Sequence, residues 1–243
     1  MRWWEDCDST NAALLEAPPE DDGKVHVLAA TRQSAGRGRR GRQWLAWPGG
    51  SLTFSALWRF APASSAPAGL SLAVGLALAR VLEKLGVAAV ALKWPNDVLV
   101  HGAKLAGVLV ELLPGRRTTP AAVIGIGLNL RLPVDAVIPG QAGGVTDLAR
   151  EMGEPPTREH LLAAILAELH PMLATYERTG FGLLRNAWQK RNAFANLPVQ
   201  VSGEGTNIAG ICLGADEDGA LLVRTAAGVR RIFAGEVSLR PAS

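Results

Sequence analysis

Gln33-Ser-Ala-Gly-Arg-Gly-Arg-Arg-Gly-Arg-Gln-Trp44 is the stretch on whose reading the fold turns. Within it, Gly36-Arg37-Gly38-Arg39-Arg40-Gly41 satisfies the G-x-G-x-x-G pattern of dinucleotide-binding proteins. That pattern carries meaning only when a helix follows at once and an acidic residue comes about 20 positions later. Here the loop runs into Gln43-Trp44 and then Pro48-Gly49-Gly50, and the next acid is Glu83. The dinucleotide reading fails on context, and a doubly wound sheet loses its main support. No Walker A motif is present. The loop still suits an anion: glycines let backbone N–H groups close around a phosphate, and Arg37, Arg39, Arg40 and Arg42 can add bidentate bonds. Taken alone, it is equally a solvated basic surface.

Outward from the loop, the pattern predicts short strands and amphipathic helices. Ser9-Thr10-Asn11 caps a short helix over 12–16, which Pro18-Pro19 ends. Strands are expected at 25–31, 51–58, 87–94, 105–113 and 122–130, and a helix at 70–85 with Gly86 as its stop. Pro95-Asn96-Asp97 and Pro114-Gly115 read as turns. Thr157 caps a long helix that Pro171 should kink or divide, and 181–191 reads as another. After Asn196 four short β-like runs alternate with Gly/Asp turns, which predicts a small β-barrel. Strands and helices come in runs rather than in strict alternation, so the fold class is α+β: a mixed sheet with flanking helices, plus a small C-terminal barrel. The expected boundary divides 1–196 from 197–243.

Composition removes several functions. The 243 residues are 48% apolar and 19% charged, which is a folded globular balance. Cys7 and Cys212 are far apart and form no framework, which suits a reducing cytoplasm. No signal peptide is recognisable, and the longest apolar stretch, 68–81, is interrupted by Ser71, Gly75 and Arg80, too soon to span a bilayer. The four histidines show no metal-ligand spacing, and no serine sits in G-x-S-x-G. The net charge of +3 is local. Residues 23–82 hold eight basic residues and no acid, which leaves 17 basic against 22 acidic elsewhere. This acid-free window predicts a site whose cations have no carboxylates beside them.

Three apolar strands carry a polar residue at or beside one end. Lys93 closes 88–92, Lys104 precedes 105–111, and Asn129 closes Gly125-Ile126-Gly127-Leu128-Asn129 near the end of 122–130. A lysine at the end of a buried strand must snorkel or find a partner, and Asp97 is the nearest candidate. Singly, each of these residues has an ordinary structural explanation.

Together the motifs are far more specific. Ser-Thr-Asn (9–11), the Gly/Arg loop (33–44), Lys-Trp-Pro-Asn-Asp (93–97), Lys-Leu-Ala-Gly-Val-Leu-Val-Glu (104–111) and Gly-Ile-Gly-Leu-Asn (125–129) stand in one order. With Gly-Glu-Val-Ser-Leu-Arg (235–240), they resemble the bacterial biotin protein ligases, biotin–[acetyl-CoA-carboxylase] ligases, over essentially the whole chain. The resemblance implies a class II aminoacyl-tRNA synthetase/biotin ligase-like catalytic domain and an SH3-like C-terminal domain. Ser9 lies too near Met1 for the winged helix-turn-helix that some members carry, so no DNA-binding repressor is expected.

The implied reaction has two steps. Biotin's carboxylate attacks the α-phosphate of MgATP, giving biotinyl-5′-AMP and pyrophosphate. A lysine of a biotin carboxyl-carrier domain then attacks that mixed anhydride. By the same resemblance Lys93, Arg37 and Arg39 are the catalytic cations. Ser9, Thr10, Asn11, Gln33, Gly36, Arg37, Gly38, Arg39 and Lys93 take biotin. Arg39, Arg42, Trp44, Lys104, Asn129 and Arg240 take ATP, with Trp44 over the adenine and Asn129 beside the triphosphate and its Mg2+. No protein metal site is implied. The expected setting is the cytoplasm, without membrane or DNA, as a monomer or homodimer. Two competing readings are lipoate ligation, against which the polar reader Gln33 argues, and a nucleic-acid-binding module built on the loop, which the other motifs leave unexplained.

Overall fold

The computed structural model describes residues 1–61, 68–113, 120–134, 136, 143–203, 206–234 and 238–241. In chain order these form β1 (Arg2–Cys7), α1 (Thr10–Glu16), β2 (His26–Gln33), β3 (Ser51–Arg59), α2 (Leu70–Lys84), β4 (Val90–Lys93), β5 (Asp97–Val100), β6 (Ala103–Leu112) and β7 (Ala121–Asn129). There follow α3 (Leu148–Met152), α4 (Arg158–Thr179), α5 (Gly182–Gln189), β8 (Pro198–Gly203), β9 (Thr206–Ala215), β10 (Leu221–Thr225), β11 (Gly228–Ile232) and β12 (Ser238–Pro241). The predicted turn at Pro114-Gly115 and residues 235–237 of the C-terminal motif lie outside the described residues.

The first seven strands make one mixed sheet in the order β1-β2-β3-β7-β6-β5-β4. Only β1 and β2 run parallel; the other neighbours are antiparallel, as the α+β reading expects. β7 lies at the centre, and its nine uncharged residues are almost wholly buried, as a strand covered on both faces must be. One face carries Leu52, Phe54, Ala106, Val108, Ile124, Ile126 and Leu128 into the main core. There they meet α2, whose leucines, alanines and valines are buried nearly all round because α4 packs on its far side. On the other face α1 covers only one end, where Leu14 meets Leu28, Leu57 and Val123. The uncovered remainder of that face is where a cleft forms.

Pro171 lies inside α4 and does not divide it; the helix runs 22 residues without interruption. A proline removes the bond to the carbonyl four residues back. That carbonyl belongs to Ala167, an exposed position where water can take it, while buried Leu169, Met172 and Leu173 hold the helix on both sides of the break.

The C-terminal strands form a separate antiparallel sheet, β11-β10-β9-β8-β12. It is the small β module foreseen after Asn196. Its Val199, Val201, Cys212, Leu221, Val223 and Leu239 continue the main apolar core. Trp94 Nε1, buried at the end of β4, donates to Gly219 O at 3.0 Å, and Arg185 Nε of α5 donates to Ala215 O at 2.7 Å.

Candidate active site

The cleft on the open face of the sheet holds about 310 Å³. Its inner end is built by α1. Ser9 caps the helix in extended backbone and its Oγ accepts from Ala12 N at 3.4 Å. Thr10 and Asn11, in the first turn, are therefore turned down onto the sheet and buried. Thr10 N donates to Gln33 Oε1 at 2.7 Å, and Thr10 Oγ1 lies 2.7 Å from Ser55 Oγ. Ser55 Oγ donates to Asn11 Oδ1 at 2.5 Å. Asn11 Nδ2 donates to Glu111 Oε2 at 2.9 Å.

The floor is glycine. Gly125 and Gly127 stand on one face of β7, two residues apart, with Asn129 two further on. A Cβ at Gly125 would overlap Asn11 Oδ1, and one at Gly127 would overlap the Trp44 ring. A Cβ at Gly107 would come within 3.3 Å of both Trp44 and Lys104 Nζ. These glycines are the room in which the polar end and the tryptophan sit. Trp44 Nε1 and Asn129 Oδ1 are buried and have no hydrogen-bond partner among the described residues. Asn129 is oriented by its own Nδ2, which donates to Thr146 O at 3.0 Å. Buried polar atoms left unpaired are costly, and these two belong to residues that line the cleft.

The Gly/Arg loop forms the outer wall and folds back on itself. Trp44 N donates to Gly36 O at 2.8 Å, Gly38 N donates to Arg42 O at 2.7 Å, and Arg37 pairs with Gln43 in an isolated antiparallel bridge. Gly36 is buried, and a Cβ there would meet Trp44 O at 2.5 Å. Its smallness thus serves the crossing of the two limbs, while Gly38 also lines the cleft. The tip is a single 3-10 turn at Arg39–Gly41. Arg37 pairs with Glu111 Oε1 at 2.8 Å. Arg39 reaches Asn96 Oδ1 and Ala234 O, each at 3.4 Å, and so links β5's entry to the C-terminal sheet.

The cationic end centres on Asp97. Lys104 Nζ lies 2.6 Å from Asp97 Oδ1, and Lys93 Nζ lies 4.0 Å from Asp97 Oδ2. Burial holds the Lys93 ammonium below the ordinary lysine range. Asp97 opposes that shift, while the fields of Lys104, Arg240 and Arg42 add to it. The predicted partnership of Lys93 with Asp97 is present, but Lys104 makes the tighter contact.

Ser9, Thr10, Asn11, Gln33, Arg37, Gly38, Arg39, Arg42, Trp44, Lys104 and Asn129 all line this one cleft. Gly36, Lys93 and Arg240 do not; Lys93 stands behind Asp97, and exposed Arg240 on β12 is felt through its field. Thr53, Asn96, Asp97, Gly107, Gly125 and Gly127 line it too; all but Thr53 fall within the quoted motifs and Asp97 was named as a partner for Lys93, but none was assigned to the site. The spacing of Gly125, Gly127 and Asn129, read at the strand period, was the available signal. The expectation of a site without carboxylates is corrected. Asp97 and Glu111 come from strands beyond the acid-free window; Glu111 pairs with its Arg37, and Asp97 pairs with Lys104 and Lys93, which also lie beyond it. Cations this close need counter-charge, which the fold supplies from elsewhere in the chain.

Comparison with known proteins agrees with this geometry. The model of the biotin/lipoate A/B protein ligase family matches residues 6–129, and that of the biotin protein ligase C-terminal domain matches 196–240. The chain is 38% identical over 236 residues to the bifunctional ligase/repressor BirA of Escherichia coli, covering 97% of this chain and 72% of that protein. It is 39% identical over 240 residues to the biotin–[acetyl-CoA-carboxylase] ligase of Paracoccus denitrificans, covering 95% and 96%. The fold superposes on a biotin protein ligase from Aquifex aeolicus, solved with biotin and ATP, with a TM-score of 0.83, 29% identity, and coverage of 99% and 98%. The chain belongs to the biotin/lipoate A/B protein ligase family, on its biotin protein ligase branch.

Proposed function

We propose that this chain activates biotin with ATP to biotinyl-5′-AMP and transfers the biotinyl group to a lysine of a biotin carboxyl-carrier domain. The observation that carries this reading is the polarity of the cleft. One end is neutral and hydrogen-bonding, with Ser9, Thr10, Asn11 and Gln33; the other is cationic, with Arg37, Arg39, Arg42 and Lys104. A ligand with a ureido ring at one end and a carboxylate at the other matches both. Residues 1–196 are the catalytic unit of this proposal, and 197–243 form the appended module.

Step one joins two anions, and their repulsion is the main barrier that the residues can reduce. Arg37 would face the carboxylate and the α-phosphate, Lys93 would add its charge to them from behind Asp97, and Arg39, Arg42 and Lys104 would hold the phosphate chain. Cations fixed before the reaction act on charge as it develops. Arg240 would add its charge from the C-terminal module. Trp44 would carry the adenine against the glycine floor. A Mg2+ brought with the nucleotide fits beside the orphan Oδ1 of Asn129, an oxygen donor of the kind such an ion takes along with phosphate oxygens. When bound it would supply further charge neutralisation on the triphosphate. The folded-back loop would keep water from the adenylate until the acceptor amine arrives.

No helix among the described residues is long and apolar enough to cross a membrane. The proposed setting is a reducing cytoplasm, where Cys7 and Cys212 stay free. Incubating the protein with biotin, MgATP and a carrier domain should add one biotinyl mass to a carrier lysine. No mass gain would overturn the proposal. Pyrophosphate release with biotin but not with lipoate separates it from lipoate ligation.

A further inference from the structure

Glu111 takes no part in the roles assigned above, yet it joins both ends of the cleft. One carboxylate oxygen, Oε1, holds Arg37 at 2.8 Å; the other, Oε2, accepts from Asn11 Nδ2 at 2.9 Å. We propose that Glu111 is a positioning and specificity-determining residue: its charge sets the direction of the hydrogen-bond chain Thr10–Ser55–Asn11, so that the Thr10 hydroxyl offers a lone pair to the ligand. This inference rests on the biotin reading of the same cleft.

Counting protons gives the direction. An ionised carboxylate only accepts, so Asn11 must turn its NH2 towards Glu111 and its oxygen towards Ser55. Ser55 has one proton, and the 2.5 Å contact to Asn11 Oδ1 uses it. Ser55 Oγ therefore meets Thr10 as an acceptor, and Thr10 gives its single proton across 2.7 Å. The alternative acceptor, Gln33 Oε1, is farther from Thr10 Oγ1 at 3.2 Å and already takes the Thr10 backbone N–H. Every donor thus points towards the anion, an arrangement in which each bond polarises the next. What remains on Thr10 Oγ1 is acceptor capacity in a residue that lines the cleft. That capacity suits a ligand bearing an N–H, as a cyclic urea does, and gives nothing to a dithiolane or an alkyl chain. Without the carboxylate, the Asn11 amide is free to flip and the chain to reverse. Ser55 is fully buried and Asn11 nearly so, so no water competes to randomise the order.

The test is a double-mutant cycle read in biotin-dependent pyrophosphate release. Glu111→Gln keeps the shape and removes the charge; Thr10→Val removes the acceptor. Each should raise the KM for biotin by roughly 10-fold or more, about the cost of one buried hydrogen bond. The double variant should be no worse than the poorer single variant, because both delete the same acceptor. Additive losses, or a Glu111→Gln variant with unchanged biotin KM, would overturn the proposal. If Glu111→Gln does not fold, Ser55→Ala breaks the same chain without touching the carboxylate, and its cycle with Thr10→Val is decided by the same two outcomes. A failure of the biotin reading would appear separately, as a wild-type protein that releases no pyrophosphate with biotin and ATP.

Discussion

Lys93 is buried among charges, and the direction of its titration follows from that position. Desolvation and three neighbouring cations favour the neutral amine, and Asp97 only partly opposes them. The folded-state pKa therefore lies below the ordinary 10.5. On the proposal that Lys93 acts as a cation on the reacting anions, adenylation needs the charged form, so kcat/KM should fall on the alkaline side at a pH below 10.5, as Lys93 loses its proton. Lys93→Arg, whose guanidinium does not titrate in this range, should carry a lower rate but remove that limb. A variant profile that keeps the wild-type alkaline limb would assign the titration to another group. Gly127 poses the steric counterpart. A methyl group there would displace the Trp44 ring. Gly127→Ala should therefore weaken ATP binding while the α1 end keeps its hydrogen bonds, with a loss in kcat/KM of up to about 100-fold for a misplaced group. ATP and biotin KM values measured separately would check it; equal rises in both would place the fault in the whole sheet.

At the scale of elements, the legible parts were those whose pattern is long enough to show a period. α2, α4, β3 and β7 were foreseen within a few residues, because buried side chains recur along them. β1 was not. Arg2–Cys7 is mostly exposed and carries two acids, and it is held as an edge strand by pairing with β2 and by Trp3 Nε1 donating to Thr31 Oγ1 at 3.0 Å. β5 has four residues, hidden behind a turn signal, and its identity comes from β4 and β6 on either side. The site divides the same way: its charged residues were visible in motifs, while Glu111, Ser55 and the floor glycines acquire meaning only when strands distant in sequence are set side by side. α3 is the clearest case of a short element with a consequence for the cleft. Its cap, Asp147, is buried; Oδ1 accepts from Arg150 N at 2.9 Å and Oδ2 from Leu132 N at 3.1 Å. The adjoining Thr146 holds Asn129 through its carbonyl and Lys104 through its N–H, which donates to Lys104 O at 3.0 Å. Asp147→Ala would uncap the helix and strand a buried N–H, at a cost of about 2–4 kcal/mol. Urea unfolding should show that loss, and the ATP KM should rise as Asn129 and Lys104 lose their backing. Asp147→Asn, which keeps an acceptor, should cost less than the alanine variant.

At the scale of the whole molecule, the basic window of residues 23–82 does not face the cleft alone. The loop tip reaches the C-terminal sheet through Arg39 and Ala234, and the field of Arg240 from that sheet acts on Lys93. The module thus adds charge to a site whose floor lies in the larger sheet, and it holds Arg39, which lines that site. Among the described residues, the directional bonds that hold the module include Trp94 Nε1 to Gly219 O, Arg185 Nε to Ala215 O, Gln189 Nε2 to Leu213 O at 3.2 Å, and Asn196 N to Cys212 O at 2.9 Å. Close packing at this joint needs glycine on both sides, since a Cβ on Gly219 would meet Gly69 Cα at 2.5 Å. Trp94→Phe keeps most of the buried ring and leaves the Gly219 carbonyl without its donor. The cost should be about 1–3 kcal/mol in unfolding free energy. If the module steadies the loop tip, the same change should let biotinyl-5′-AMP escape faster, by up to about 10-fold for each 1.4 kcal/mol lost from the closed state. Trapping labelled adenylate and chasing it with excess biotin measures that rate. A less stable protein that keeps its adenylate as long as the wild type would show that the loop closes independently of the C-terminal sheet.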